Sequence, residues 1–279
     1  MKKILTSILA CLMAIAAIAQ KNVVVEYDVT TRDSDSGDAY THKMTLVANP
    51  AKSLYFNKMS QYVDSCNSTP EGKATLREIQ LKAWRVVQPD GTVTYDGRKL
   101  GLAPEKKHFL YVAKEPEQAK MTVYDLKGAE LWQYNEPLSE MEWTISNDIT
   151  KNILGYECIM AQTDYHGRKW TAWFSPEIPV HDGPWKLHGL PGMVLRAEAG
   201  DCFIIEATEV GSTGQAVPAV YSVKDYAKGE RKRILAEHEH YENNLESMLG
   251  AQGIKMNGDG SPANLPEFDR EQRAWETDY

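Results

Sequence analysis

The stretch GYECIMAQTDYHGRKWTAWF, from Gly155 to Phe174, decides the fold of this chain. An apolar run comes first, the turn Tyr165-His166-Gly167 interrupts it, and a second run with two tryptophans follows. Two strand-like runs joined by a short glycine-containing turn predict a β-hairpin. Because Trp170 and Trp173 are three residues apart, they point to opposite faces of the returning strand.

The same scheme continues on both sides of this hairpin. Downstream, Met193 to Ala199 and Cys202 to Val210 flank a turn at Gly200-Asp201. Upstream, further strand-like runs are separated by turn residues; they cover 23–30, 81–87 with 93–95, 121–125 with 131–134, and 143–146. Consecutive hairpins build an antiparallel meander. We therefore predict a mainly β chain in which residues 20–212 form one antiparallel domain, a curved sheet or half-barrel.

Residues 213–279 read as a polar C-terminal segment that carries one amphipathic helix, predicted over 222–249. Ser222 and Asp225 resemble a capping box, and Gly250 is a suitable stop. Apolar or aromatic residues recur between them at spacings of three or four, namely Leu235, His238, Tyr241, Leu245 and Met248. The flanks of this stripe are charged, which predicts a helix on the surface. Residues 251–279 are polar, and we expect them to be poorly ordered.

The N-terminus predicts a secretory signal peptide over residues 1–19. Lys2 and Lys3 precede an apolar run of 15 residues, and Ala17-Ile18-Ala19 offers a small-x-small cleavage site after Ala19. The run is too short to span a bilayer of roughly 30 Å as a stable helix. Cys11 raises the alternative of a lipid anchor, but Leu9 stands where a small residue is usual. These features predict a periplasmic or secreted protein that is not an integral membrane protein.

Charge and cysteine content narrow the partners and the redox chemistry. The formal charge of −8 becomes −10 once Lys2 and Lys3 are removed, which argues against nucleic acid and anionic membrane surfaces. After cleavage three cysteines remain, so an oxidising compartment permits one disulfide and leaves one thiol. Cys158 and Cys202 lie in strand-like runs and Cys66 in a polar one. We favour a Cys158–Cys202 bond, with three unpaired thiols as the alternative.

Three blocks in order then make the central stretch recognisable. They are KNILGYEC from Lys151, TAWFSPEIP from Thr171, and GPWKLHGLPGMVL from Gly183. Over about 60 residues, from Thr150 to Val210, the chain resembles the GLPGLI family of bacterial envelope proteins. Met193 and Val194 replace Leu and Ile of the namesake string, and both keep an apolar strand start. The resemblance implies a secreted or periplasmic protein of Gram-negative bacteria, and it implies no activity or catalytic residue.

The motif itself, Gly189, Leu190, Pro191 and Gly192, is explained by backbone geometry. Pro191 presets φ at the second position of a type II turn, and Gly192 supplies the positive φ at the third. One interpretation is a rigid loop that feeds the next strand. The other is a loop that presents ligand-binding side chains, for which the candidates are Trp173, Trp185, Lys186 and His188.

The same loop holds the candidate metal ligands. His181, Asp182 and His188 lie within eight residues of one another, and two imidazoles with a carboxylate are able to bind zinc. Their spacing matches no familiar metal motif, so we predict neither a metal site nor a cofactor. Motifs of activated nucleophiles, phosphate-binding loops and dinucleotide folds are also missing from the sequence.

Three hypotheses follow for function. The first is a non-enzymatic envelope protein that binds an apolar ligand, lipid-like or peptide, or an outer-membrane partner. It rests on the meander, on aromatic residues facing both sides of the sheet, and on the missing catalytic motifs. The second is a metal-dependent hydrolase that uses His181, Asp182 and His188. The third is a structural or assembly protein that docks on a partner through its C-terminal helix.

Overall fold

A computed structural model describes residues 21–32, 37–96, 99, 102–138, 141–251 and 274–279. The predicted signal peptide, residues 1–19, lies outside these ranges. Within them, no helix combines the length and the apolar character that crossing a bilayer requires.

The described residues form fourteen strands and three α-helices. The strands are β1 (Asn22–Arg32), β2 (Ala39–Ala48), β3 (Ser53–Phe56), β4 (Arg85–Val87), β5 (Val93–Tyr95), β6 (Tyr111–Glu115), β7 (Lys120–Lys127), β8 (Glu130–Pro137), β9 (Thr144–Ile153), β10 (Tyr156–Tyr165), β11 (Arg168–Ser175), β12 (Met193–Ala199), β13 (Phe203–Thr213) and β14 (Ala227–Lys228). The helices are α1 (Lys58–Asn67), α2 (Pro70–Trp84) and α3 (Arg231–Ala251).

Twelve of these strands make one curved sheet that does not close, in the order β14-β8-β7-β6-β3-β2-β1-β13-β12-β11-β10-β9. Three meanders run through it, β1 to β3, β6 to β8 and β9 to β13, and β1 joins the first to the last by pairing with β13. Only β14 runs parallel to its neighbour among the described strands. The predicted fold class, a mainly β antiparallel curved sheet with a C-terminal helix, is confirmed.

One face of the sheet carries the main core, and we call it the inner face. Val25, Tyr27 and Val29 alternate along β1 and are almost fully buried, as are Trp170 and Phe174 on β11. The Tyr27 hydroxyl donates to the carbonyl of Val194, 2.6 Å away, and so ties β1 to β12 across this face. Strands with period-two burial therefore bury their aromatic residues here, as the sequence predicts.

Helices α1 and α2 correct part of the strand prediction. Residues 81–87 were expected to be a strand, but α2 runs to Trp84 and only Arg85–Val87 is extended. The signals for these helices are local: the Asn57 side chain caps α1, and the Thr69 side chain caps α2 with Pro70 at its first position. The predicted hairpin across 89–92 remains as β4 and β5.

The C-terminal helix begins nine residues later than predicted. Ser222 takes a left-handed conformation and forms no cap, and β14 then pairs with β8, so α3 starts at Arg231. Ile234 and Leu235 are buried, and the Gly128 amide donates to His238 Nδ1 at 3.1 Å. The apolar side of the first turns of α3 therefore packs on the β7–β8 hairpin of its own chain.

Two further predictions need correction. The three cysteines that the structure describes are free thiols, so the predicted Cys158–Cys202 bond is not formed. Cys158 on β10 lies level with the first residues of β12, whereas Cys202 follows the last residue of β12. The length of β12 therefore separates the two thiols, and this is much farther than a disulfide spans. Residues 274–279 were expected to be poorly ordered, but they dock on the inner face with Glu276 only 5% exposed.

Candidate functional site

The loop between β11 and β12, residues 176–192, crosses the inner face and holds the GLPG turn. The turn is not type II: the Gly192 amide donates to the carbonyl of Leu190 at 2.8 Å, which is a three-residue γ-turn around Pro191. Gly192 is required for space, since a Cβ there would lie 2.2 Å from the carbonyl oxygen of Ser175. Met193 then donates to Ile178 and starts β12.

Lys114 on β6 anchors this loop from below. Its ammonium is 1% exposed and donates to Asp182 Oδ1 at 2.6 Å and to the carbonyls of Gly183 and Leu187 at 2.8 and 2.9 Å. Burial lowers the pKa of Lys114, and the charge of Asp182 partly opposes that shift. A buried ammonium with three acceptors is fully satisfied, so this contact fixes the loop on the sheet.

The candidate metal ligands all lie in this loop. His181, Asp182 and His188 share the wall of a cavity of about 460 Å³. The Asp182 carboxylate, however, is held by Lys114, and His188 Nδ1 is 2.9 Å from the carbonyl of Lys186. His181 is exposed. The three residues are neighbours, but the carboxylate is committed to an ion pair and does not converge with the imidazoles on one point.

Trp185 marks the opposite side of the loop. Its φ of +53° is in the left-handed region, which a bulky side chain rarely adopts, yet its side chain is 3% exposed. The indole lies 5.2 Å from that of Trp170 and 5.5 Å from that of Trp275, centroid to centroid. Strain of this kind persists only where surrounding contacts hold it, and here an aromatic cluster does so.

The residue after it, Lys186, is fully buried between two carboxylates. Its Nζ pairs with Glu136 on β8 and with Glu276, at 2.6 Å from the latter. His166 Nε2 lies 2.7 Å from the other oxygen of Glu136. Burial opposes ionisation of Glu136, but the His166 hydrogen bond and the Lys186 charge outweigh it and lower the pKa of Glu136 to about 2. The carboxylate is therefore charged at any ordinary pH.

Glu276 belongs to the segment 274–279, which we call the tail. Arg231 at the start of α3 donates to Glu276 at 2.5 Å and to both oxygens of Asp278 at 2.8 and 2.7 Å. Partial burial opposes ionisation of Asp278, but Arg231 outweighs it and lowers the pKa of that carboxyl to about 2. The tail therefore presents two carboxylates to the sheet, and both contact Arg231.

The tail backbone and its indole are bound as well. Arg168 Nε donates to the carbonyl of Ala274 at 2.9 Å, and the Thr277 amide donates to the carbonyl of His166 at 3.0 Å. Trp275 stacks on Trp170 and lies 4.7 Å from Phe203, centroid to centroid. We call the residues that hold the tail the cradle; they are Glu136, His166, Arg168, Trp170, Trp185, Lys186, Phe203 and Arg231.

A family model matches across this site. It is described as a protein of unknown function, Porph_ging, and covers residues 163–196, from the end of β10 through the loop into β12. The Porph_ging match includes five cradle residues and the GLPG turn, but it spans a small part of the chain. No curated protein matches the chain in sequence.

Two solved structures give distant similarities. The chain aligns to a structure of PNGF-II with 14% identity and a TM-score of 0.48, over 80% of this chain and 33% of that one. It aligns to a LolA superfamily protein, NE2245 from Nitrosomonas europaea, with 6% identity and a TM-score of 0.25, over 71% and 88%. The chain thus spans about a third of PNGF-II, and neither similarity supports an inference about function.

Between the β11–β12 loop, the tail and the sheet lies a cavity of about 290 Å³, which we call the inner cavity. Its apolar wall consists of Val29, Met44, Tyr55, Phe109, Leu110, Leu126, Tyr134, Trp185 and Trp275. The rings of His42 and His108 stack on its rim, 4.2 Å apart from centroid to centroid. Burial, and to a smaller extent the neighbouring His108, lowers the pKa of His42 to about 4. His42 Nδ1 is buried without a hydrogen-bond partner among the described residues, so it offers one polar contact to a bound molecule.

A metal centre is the other chemistry to weigh in the cradle. Ligand atoms of Glu136, His166 and Glu276 lie within 4.8 Å of one another, and this is the one such group among the described residues. Lys186 pairs with both carboxylates and Arg231 with Glu276, so a divalent cation would have to enter against two fixed positive charges. The geometry favours an ion-pair network over a metal site.

The four predicted ligand residues lie in three different places. Trp185 and Lys186 contact the tail, and His188 faces the larger cavity. Trp173 lies apart, because Trp170 points inward and Trp173 lies under Lys151, whose Nζ is 5.7 Å from its ring. Sequence reasoning missed the cradle residues on other strands and the whole tail. The signal available for the tail was a tryptophan in an otherwise polar segment.

Proposed function

We propose that this chain is a non-enzymatic binding protein of the bacterial envelope, periplasmic or secreted, that takes an apolar ligand on its inner face. The inner cavity is the observation that carries the proposal: nine of its fifteen lining residues are aromatic or aliphatic, and the others are His42, His108, Lys107, Asp125, Lys127 and Glu276. On its rim, His42 Nδ1 has no hydrogen-bond partner among the described residues. Ligand sites of this kind are mostly apolar with few polar groups. The resemblance of residues 150–210 to the GLPGLI family supports the periplasmic or secreted location.

The charged groups near the cavity are poor candidates for catalysis. Glu136 is held ionised by its partners, and Lys186 is closed between two carboxylates. A general acid or base needs a pKa near the working pH and access to substrate. Glu136 meets neither condition, which favours binding over chemistry.

A cavity-filling variant tests the proposal. Val29 lines the inner cavity and is 1% exposed, whereas Val25 lies four residues earlier on the same face and is not part of the wall. Val29→Phe should lower the affinity for the apolar dye N-phenyl-1-naphthylamine at least tenfold. Val25→Phe overpacks the core comparably and should change it less than twofold.

Native mass spectrometry of protein purified from the envelope gives the independent readout. We expect an added organic mass on the wild type that is reduced on Val29→Phe and retained on Val25→Phe. Equal dye affinities of the two folded variants, or a wild type that binds no dye, would refute the inner cavity as the ligand site.

A further inference from the structure

The tail is bound in the manner of a separate peptide. It is six residues long, and the 22 residues 252–273 separate it from the end of α3. It is assigned no strand or helix, so its contacts do not extend the sheet. Its indole lies in an aromatic cluster, and its two carboxylates and two backbone groups are bound by side chains or a carbonyl of the cradle.

The cradle has partners of its own when the tail is disregarded. Lys186 and His166 each contact Glu136, and the tilted indoles of Trp185 and Trp170 lie 5.2 Å apart, centroid to centroid. These contacts lie wholly on the β8, β10–β11 and β11–β12 segments. A site whose donors are already oriented before its ligand arrives binds with a smaller ordering penalty.

Charge then defines what the cradle accepts. Without the tail, Lys186 and Arg231 both face the carboxylate of Glu136. These two cations are nearly buried, with side chains 1% and 10% exposed. A bound segment must therefore bring negative charge, and the tail brings Glu276 and Asp278.

We propose that the cradle is a recognition site for a peptide segment that carries a tryptophan followed by acidic residues at the first and third positions. The tail, Trp275-Glu276-Thr277-Asp278, is the internal copy of that ligand. The partner is a protein segment of the same chemistry, which exchanges with the tail. This goes beyond the proposed function because it concerns a second ligand, and the two are tested separately.

The test uses the full chain with its own tail weakened. In Trp275→Ala/Glu276→Gln the cradle loses the indole and the buried charge that occupy it. A labelled peptide of residues 274–279, amidated at its end, should bind this variant by fluorescence anisotropy at least tenfold more tightly than it binds the wild type. The same peptide carrying the Glu276→Gln change should bind at least tenfold more weakly.

Matched variants on α3 locate the interaction. Adding Arg231→Met to the weakened chain should abolish peptide binding, whereas Arg233→Met, an exposed arginine that pairs with Glu237, should leave it unchanged. If the double variant does not fold, Glu276→Gln alone serves, and the wild-type peptide should still outcompete its weakened tail. A folded variant that ignores millimolar peptide, or that binds the peptide with Glu276→Gln equally well, overturns the proposal. Because Trp275 and Glu276 also line the inner cavity, that cavity is tested separately with Val29→Phe and Val25→Phe, which keep the tail sequence.

Discussion

Two buried lysines hold the same loop but differ in the origin of their partners. Lys114 reaches from β6 to three oxygen atoms, all of them in the β11–β12 loop. Lys186 lies in that loop and divides its bonds between Glu136 on β8 and Glu276 in the tail. The first contact closes the fold on itself. The second joins the loop to a segment far along the chain, so half of this ion-pair network belongs to the tail.

Breaking the Lys114 contact should have the largest effect. Lys114→Met leaves the Asp182 carboxylate buried without its counter-ion, and removing one partner of a buried pair costs about 3–5 kcal/mol. Urea denaturation should show that loss of unfolding free energy. Lys120→Met, at the start of β7 with the side chain 41% exposed, should cost about 0.5 kcal/mol or less. A loss below about 1 kcal/mol for Lys114→Met would mean that the loop is held by other contacts.

Acid should weaken the cradle through Glu136. Because the folded pKa of Glu136 is lowered from 4.5 to about 2, the stability it contributes is fully present above about pH 5 and is lost as pH falls through 2. The shift corresponds to about 3 kcal/mol. Glu136→Gln should flatten the fall in unfolding free energy between pH 5 and 2.5. Glu157→Gln, at an exposed position on β10, should leave it unchanged, and equal slopes for both variants would contradict the assignment.

Releasing the tail should cost less than breaking the Lys114 contact. Trp275→Ala removes the indole from Trp170, Trp185 and Phe203. Truncating a core tryptophan usually costs about 3–5 kcal/mol, but here we expect about 2 kcal/mol, because a short tethered segment leaves and the sheet remains intact. Denaturation with an unchanged m-value is the measurement. A loss above about 5 kcal/mol would place the tail in the core of the fold.

The comparison also explains what the sequence was able to predict. Alternating apolar residues between Gly155 and Val210 predicted the β10–β13 meander, since a half-buried strand must repeat every two residues. Trp185 and Lys186 were selected as ligand residues because they precede the GLPG turn, and both contact the tail. The strand prediction succeeds because it depends on neighbours in sequence, whereas the role of Trp185 and Lys186 as ligand residues stays a prediction.

The wrong or missing predictions depend instead on contacts between residues that are far apart in the sequence. Glu136 and His166 are 30 residues apart, and Glu276 lies 110 residues beyond His166, so no local pattern indicates that the three meet. Five of the six tail residues are polar or aromatic, and they show no periodicity, so the order of the tail comes from the cradle and not from its own propensity. The Cys158–Cys202 bond was expected from strand character, but register along β12 separates the two residues. The start of α3 was predicted too early, because residues 227–228 pair with β8 as strand β14.

The smallest expected effect, that of Thr277→Ala on stability, tests whether the tail docks as a unit. The Thr277 hydroxyl donates to the carbonyl of Gly167 at 3.2 Å in an exposed position, and such a bond is worth about 0.5 kcal/mol. Thr277→Ala should therefore cost about that much in the wild type. In the Trp275→Ala background it should cost nothing measurable, because an undocked tail has no contact left to lose, and the double-mutant cycle should report the difference as coupling. Equal costs in both backgrounds would mean that Thr277 stays bound without Trp275, and that the tail binds through its acidic end alone.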